Sequence, residues 1–248
     1  MCDTRVVERG EHVRSVRDSY DSLAPVWAES TDDNLWNEVL DRRPIRSLLP
    51  DDLTGRSVLD VGTAGGAIAA ELVARGAEVT AIDLSPAMVD TARARCGGRG
   101  RFLVADVGEP LPFDDASFDG AVASMALHYI KDWTTPLASL ARVLRPGGWL
   151  IVSTDHPDSP FSRSHRTKYL DTELVTDEWT KAGVTVEVSF WRQPLSRMLN
   201  AFADAGFCLD RVLEPDVDDN DRRRYPQDAA GVGAPIRIVV RWRNNPAA

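Results

Sequence analysis

Apolar residues change their spacing twice along this chain. Between residues 11 and 49 they recur every three to four positions, and Val16, Tyr20, Leu23, Ala24 and Trp27 form one stripe. That spacing predicts an amphipathic helix, broken or kinked at Pro25. A second helical stretch, NLWNEVLDRRPIRSLLP, ends near Pro50. From residue 56 short apolar runs alternate with helical patterns, which predicts a parallel sheet with helices on both faces. Strands fall at about 57–61, 78–82, 101–105, 118–124 and 149–154, and helices at about 66–75, 86–95 and 135–144. Ser85 followed by Pro86 is a favourable helix start. RPGG at 145–148 closes the third helix and launches WLIVST, apolar enough for a buried central strand.

After residue 154 the alternation fails. DHPDSPFSRSHRTKYLDTELVTDEWTKAG is polar, holds two prolines and keeps no period, so a long lid or binding loop is expected. VTVEVSFW then alternates as a strand, PLSRMLNAFADAGF reads as a helix ending at Gly206, and CLDRVLEP and IRIVVRWR read as further strands. No repeat, low-complexity tract or domain boundary interrupts the pattern, and 248 residues suit one α/β domain with additions.

Charge narrows the partners. The net charge of −9 disfavours a general affinity for nucleic acid. Arg222, Arg223 and Arg224 directly follow the acidic stretch Asp216 to Asp221, which predicts a solvated, self-compensating loop. Cys2, Cys96 and Cys208 are odd in number and far apart, so neither a zinc site nor a disulfide framework is expected. The N-terminal residues are charged without an apolar core, and no apolar run approaches the roughly 20 residues needed to span a bilayer. The expectation is a cytoplasmic protein with no membrane partner, a monomer or homodimer.

The candidate chemistry begins at VLDVGTAGGAIAAEL, a strand, a turn with Gly62, Gly65 and Gly66, and the start of a helix. Such units hold nucleotide-like cofactors, and two readings are open. A nicotinamide fingerprint read from Gly62 gives Gly62, Ala64 and Ala67, with alanine at the middle glycine. Asp83, at the end of the second strand, is where a ribose ligand belongs in either case.

Four segments in register separate the readings. Asp60, Gly62, Ala64 and Gly66 resemble motif I, D-x-G-x-G-x-G, of the class I S-adenosylmethionine-dependent methyltransferases, with Ala64 as the departure and Gly65 beside it to restore backbone freedom. VTAIDLSPAMVDTAR, FLVADVGEPLPFDDASFDGAVASMALHYIKDW and ARVLRPGGWLIVST follow in the family's order over roughly residues 50 to 155. The resemblance implies a three-layer Rossmann-like fold with a mostly parallel seven-stranded sheet. Residues 11–50 would form a helical lid, 51–154 the cofactor half, 155–193 a cap insertion and 194–248 the completion of the sheet. It implies S-adenosylmethionine as cofactor and S-adenosylhomocysteine as product. Asp83 would accept from both ribose hydroxyls and Asp106, with Val107 adjacent, from the adenine amine; Leu84 and Met88 would line the adenine pocket, and Thr63 and Met125 complete the cofactor set. The physics agrees: Asp60 beside the loop would repel a pyrophosphate and favour an α-amino group.

Candidate catalytic residues are His128, His156 and Tyr20. His128, in SMALHYIKD, lies just past the fourth strand, at the edge where ligands of open α/β sheets bind, and is the best candidate base. His156 follows the fifth strand and either serves the site or ties the loop. Tyr20, Asp21 and Ala24 match a Y-D-x-x-A segment that closes over the methionine moiety in similar enzymes, and Trp27 belongs to the same stripe. His12 and His165 read as surface residues and Tyr129 as structural. Trp179, Phe190 and Trp191 either wall an apolar or aromatic substrate pocket or fill the core. Ser124-Met125-Ala126-Leu127 stands where amide- and base-methylating enzymes carry an Asn-Pro-Pro-Tyr signature, which argues for a small metabolite as acceptor at O, N or C. The alternatives are a nicotinamide-dependent oxidoreductase and a cofactor-binding regulator without turnover.

Overall fold

The computed structural model describes residues 8–245. Cys2 lies outside them. The N-terminal stripe forms α1 (Arg9–Leu23), a 3₁₀ turn at Ala24–Val26 and α2 (Trp27–Thr31). The break falls at Pro25, as the missing amide of proline requires. The second helical stretch is not one helix. Leu35–Arg42 is π-helical, and α3 (Arg43–Leu48) continues it in α geometry. Pro44 opens α3 and has no amide to offer the Leu40 carbonyl; the widened turn before it keeps the proline ring clear of that carbonyl.

The alternating half follows the sequence closely: β1 (Ser57–Val61), α4 (Ala67–Ala74), β2 (Glu78–Asp83), α5 (Pro86–Arg95), β3 (Arg101–Val104), β4 (Phe118–Ser124) and α6 (Thr134–Val143). The Ser85 hydroxyl caps α5 by accepting from the Met88 amide. RPGG is not a free turn. β5 (Leu144–Asp155) runs through it, and the register slips between the Phe118–Leu144 and Gly120–Trp149 pairs, leaving those residues as a bulge.

The region expected to be an irregular loop holds α7 (Pro160–His165) and a full strand, β6 (Glu173–Lys181), paired antiparallel with β7 (Val184–Arg192). Ala182 and Gly183, both with positive φ, make the tight turn between them. This hairpin is a separate two-stranded sheet. α8 (Leu195–Asp204), β8 (Phe207–Leu213), α9 (Asp219–Arg224), α10 (Pro226–Ala229) and β9 (Arg237–Asn244) complete the chain. The arginines at 222–224 sit on α9 under an Asp218–Asp221 capping box, not in a loop, and Arg224 pairs with Asp33.

The main sheet has seven strands in the order β3-β2-β1-β4-β5-β9-β8. Only β9 runs against its neighbours. Alternate residues face opposite layers. Val58, Val79 and Val122 pack with Ile45, Leu72 and Val89 of α3, α4 and α5, whereas Leu59, Ala121 and Leu150 pack with Leu137, Leu140 and Phe202 of α6 and α8. Strand order reverses at β1 and β4, so their carboxyl ends diverge and leave a crevice, the usual ligand position of open α/β sheets. No helix among the described residues is long and apolar enough to cross a membrane.

Gly66 sets the spacing of the layer under that crevice. Its φ is +76°, and a Cβ there would lie 2.7 Å from Cα of Ala92 on α5. Gly66→Ala is expected to lower the unfolding free energy by about 2–4 kcal/mol, the sum of left-handed strain and overpacking. Denaturant titration measures this, and an unchanged midpoint would contradict the packing.

Candidate active site

The carboxyl ends of β1, β2 and β4 open into one cavity of about 890 Å³, within the range of small-molecule sites. The glycine loop after β1 forms its floor. α1, the π-helical segment and the β6–β7 hairpin form its roof. Two non-glycine residues that line it, Ala64 and Met125, have left-handed backbones, with φ of 45° and 49°. Such strain is kept where the surroundings over-determine it, often at functional sites.

Ala64 therefore takes the conformation itself. Gly65 is not the source of the turn's freedom; it makes room for Trp27, because a Cβ on Gly65 would lie 2.6 Å from Cδ1 of that indole. The roof rests directly on the loop at this point. It is also tied down by Asp21, which accepts from the Ser85 hydroxyl and the Ala87 amide at the start of α5, and by Arg9, which pairs with Asp106 at 2.9 Å.

Asp60, Gly62, Thr63, Ala64, Asp83, Leu84, Asp106, Val107, Met125, Tyr20 and His128 all line the cavity. Gly66, Met88 and His156 do not. Gly66 serves the contact between α4 and α5. Met88 is fully buried against Leu23 and Ala24, because its position on α5 faces α1. His156 accepts from the Asp158 amide at Nδ1, and its Nε2 is 3.0 Å from the Glu214 carboxylate. It ties the loop after β5 and is removed from the catalytic candidates. In the other direction, His12 is not a surface residue. It is buried, lines the cavity and bonds through Nε2 with the Tyr129 carbonyl at 2.8 Å. His165 is exposed.

The acids of the floor are held by backbone and hydroxyl donors. Asp83 accepts from the Ala64 amide at 2.8 Å and the Ser85 amide at 2.9 Å, and burial pushes its carboxyl up to about 6. Asp60 accepts from the Thr63 hydroxyl at 2.6 Å; burial, with the charge of Asp83 adding to it, pushes its carboxyl up to about 7. Desolvation penalises each charge, and neither has a cationic side-chain partner to offset it.

The cavity wall is also aromatic and mixed with charge. The Tyr20 and Tyr129 hydroxyls are 2.6 Å apart, and burial raises both phenols. Trp179 and Phe190 line the wall, but Trp191 does not; it faces His12 and the Lys131 ammonium. His128 is buried, and burial together with the Arg237 charge pushes it down to about 3. It is a neutral ring at working pH, able to hydrogen-bond and poorly suited to holding a proton.

Sequence reading missed four residues here. Asp41 of the π-helical segment accepts from the Ser124 hydroxyl at the end of β4 at 2.6 Å, and Arg237 of β9 pairs with Asp155 of β5. All four line the cavity. They come from elements far apart in sequence, so no local spacing announces them. For His156 a clear outcome follows from its place outside the cavity. His156→Ala should cost about 1–2 kcal/mol of stability through the lost hydrogen bonds while leaving affinity for S-adenosylhomocysteine unchanged; parallel unfolding and calorimetric titrations measure both.

Residues 59–152, the stretch that builds the floor, match the family described as a methyltransferase domain. An O-methyltransferase, cnsE, of Penicillium expansum is 43% identical over 117 residues, 43% of this chain and 42% of that protein. A ubiquinone biosynthesis O-methyltransferase of Xanthomonas oryzae pv. oryzae is 31% identical over 157 residues, 58% of this chain and 62% of its own length. The chain thus spans less than two thirds of these curated relatives. The crystal structure of an S-adenosylmethionine-dependent methyltransferase from Mesorhizobium loti superposes with a TM-score of 0.63 at 25% identity, covering 81% of this chain and 96% of that one. With the matched motifs, the strand order and the cavity at the strand-order reversal, residues 59–152 are a methyltransferase domain, and the chain has the fold of the S-adenosylmethionine-dependent methyltransferases.

Proposed function

We propose that this protein transfers a methyl group from S-adenosylmethionine to a small molecule held in the same cavity. The observation that carries the reading is that one cavity is lined both by the acids of the glycine loop, Asp60 and Asp83, and by the aromatic side chains of Tyr20, Tyr129, Trp179 and Phe190. Its volume and mixed lining suit a nucleoside and a small aromatic partner together.

The residues of the floor suit the cofactor. Each Asp83 oxygen already accepts one amide and keeps a lone pair for a ribose hydroxyl, and the diol supplies two donors. Asp106, whose oxygens accept from Gly108 and Arg9, is the acceptor for the adenine amine, with Leu84 and Val107 beside the ring. Asp60, Thr63 and the loop backbone are the group for the methionine ammonium. A pyrophosphate would meet two buried carboxylates at this loop, which disfavours a nicotinamide dinucleotide.

S-adenosylmethionine supplies an already activated methyl group, so the protein's work is alignment and exclusion of water. Orientation of this kind contributes up to about 7–11 kcal/mol. Tyr20 and Trp27 close the roof over the reacting centre, and neutral His128 positions the acceptor by hydrogen bonding.

The test is formation of S-adenosylhomocysteine when the purified protein is given S-adenosylmethionine and a panel of phenols, amines and indoles. Asp83→Ala should weaken S-adenosylhomocysteine binding by at least about tenfold, and unchanged affinity in a folded variant would remove the ribose assignment. Binding should also follow pH. Asp83 and Asp60 stand above the ordinary carboxylate range, at about 6 and about 7, and donors from the cofactor favour their ionised forms. Affinity is therefore complete above both values and falls as pH drops from about 8 to about 5. A flat calorimetric profile across that window would contradict the assignment.

A further inference from the structure

Among the described residues, three side chains that line the cavity keep a buried polar atom without a partner: Asp41 Oδ1, His128 Nδ1 and Arg237 Nε. Asp41 is the most demanding of them. Its other oxygen is committed to Ser124, and an ionised carboxylate can only accept hydrogen bonds. A buried acceptor left without a donor is costly, so the cavity is built for an occupant that brings one to Asp41.

We propose that this occupant is the hydroxyl group of an aromatic acceptor, and that Asp41, not His128, takes its proton. The proposal rests on the methyl-transfer reading above and names its substrate class. Aromatic side chains of the same cavity, Tyr20, Tyr129, Trp179 and Phe190, suit a planar ring. An amine fits this pocket less well as a nucleophile, because a carboxylate holds it as ammonium, which has no lone pair. A hydroxyl needs to lose its proton to react, and Asp41 is placed to receive it. In the step, the O–H proton passes to Asp41 Oδ1 while the oxygen bonds to the methyl carbon. The sulfur–methyl bond breaks with its electron pair kept on sulfur. The products are a methyl ether, S-adenosylhomocysteine and a neutral Asp41 carboxyl, which returns its proton to water.

The surroundings of Asp41 support the role. Burial raises its carboxyl, making it a better proton acceptor, while the Ser124 hydrogen bond and the charges of Arg237 and Arg42 act in the other direction. Arg237 is itself paired with Asp155, and Arg42 with Glu38 and the Thr31 and Asp32 carbonyls. Tyr129, Tyr20 and His128 are the other titratable groups near Arg237. The π-helical turn that carries Asp41 is itself a frequent mark of a functional position.

Calorimetric titration of the S-adenosylhomocysteine-saturated protein with matched pairs tests this: catechol against veratrole, and 1-naphthol against 1-methoxynaphthalene. The wild type should bind the hydroxyl member of each pair at least about tenfold more tightly. Asp41→Leu, which removes the acceptor, should abolish that preference without changing affinity for S-adenosylhomocysteine, and Asp41→Asn, which keeps only a neutral acceptor, should weaken it. Equal binding of hydroxyl and ether by the wild type overturns the proposal. So does a preference that survives in both Asp41 variants, or one that is lost instead in His128→Gln. Failure of S-adenosylhomocysteine itself to bind the wild type would overturn the cofactor reading on which the proposal stands.

Discussion

Three carboxylates, Asp41, Asp60 and Asp83, are held almost entirely out of water around one cavity, and much of the architecture serves to tolerate them. Burying an ionised group without compensation is expensive. The sheet offsets that cost at the carboxyl ends of its strands, where the amides of Ala64 in the glycine loop and Ser85 at the start of α5 point at Asp83. The N-terminus of α5 presents partial positive charge to the same place. Asp60 and Asp41 rely on hydroxyls from Thr63 and Ser124. Burial raises all three carboxyls, so each gains from a further donor or a cation. Such a site favours donors and cations over phosphate.

The roof explains why an otherwise polar N-terminal region is part of the machinery. α1 packs on the β6–β7 hairpin, with the Ser19 hydroxyl donating to the Glu187 carbonyl and Tyr20 edge-on to Trp179. Trp27 presses on Gly65, and Asp21 sits on the start of α5. The first two contacts hold the roof together, and the last two join it to the glycine loop and its neighbouring helix. The elements that bound the acceptor end therefore also fix the geometry of the cofactor end, as an alignment-driven reaction requires.

The alternating half of the fold was legible because each strand and helix there carries its own period and its own stop signal; Ser85-Pro86 at the start of α5 is the clearest case. The hairpin was half legible. VTVEVSFW alternates openly, but Glu173–Lys181 is mostly polar and its packing partners lie on α1, so its strand character comes from pairing across Ala182-Gly183 and not from its own pattern. Among the cavity-lining residues, those next to the glycine loop could be found by motif. Asp41 and Arg237 could not, because only the order β4-β5-β9 and the π-helical turn bring them beside Ser124. Met88 and His156 mislead for the converse reason: correct sequence neighbourhoods, with side chains turned to α1 and to Glu214.

The central claim is that the acid-lined loop selects a sulfonium nucleoside over a dinucleotide. Side-by-side calorimetric titration of the purified protein with S-adenosylhomocysteine and with NADH tests it most directly. The account predicts roughly micromolar binding of the first, about −8 kcal/mol, and none of the second. Binding of NADH in place of S-adenosylhomocysteine would contradict it and reassign every residue of the floor.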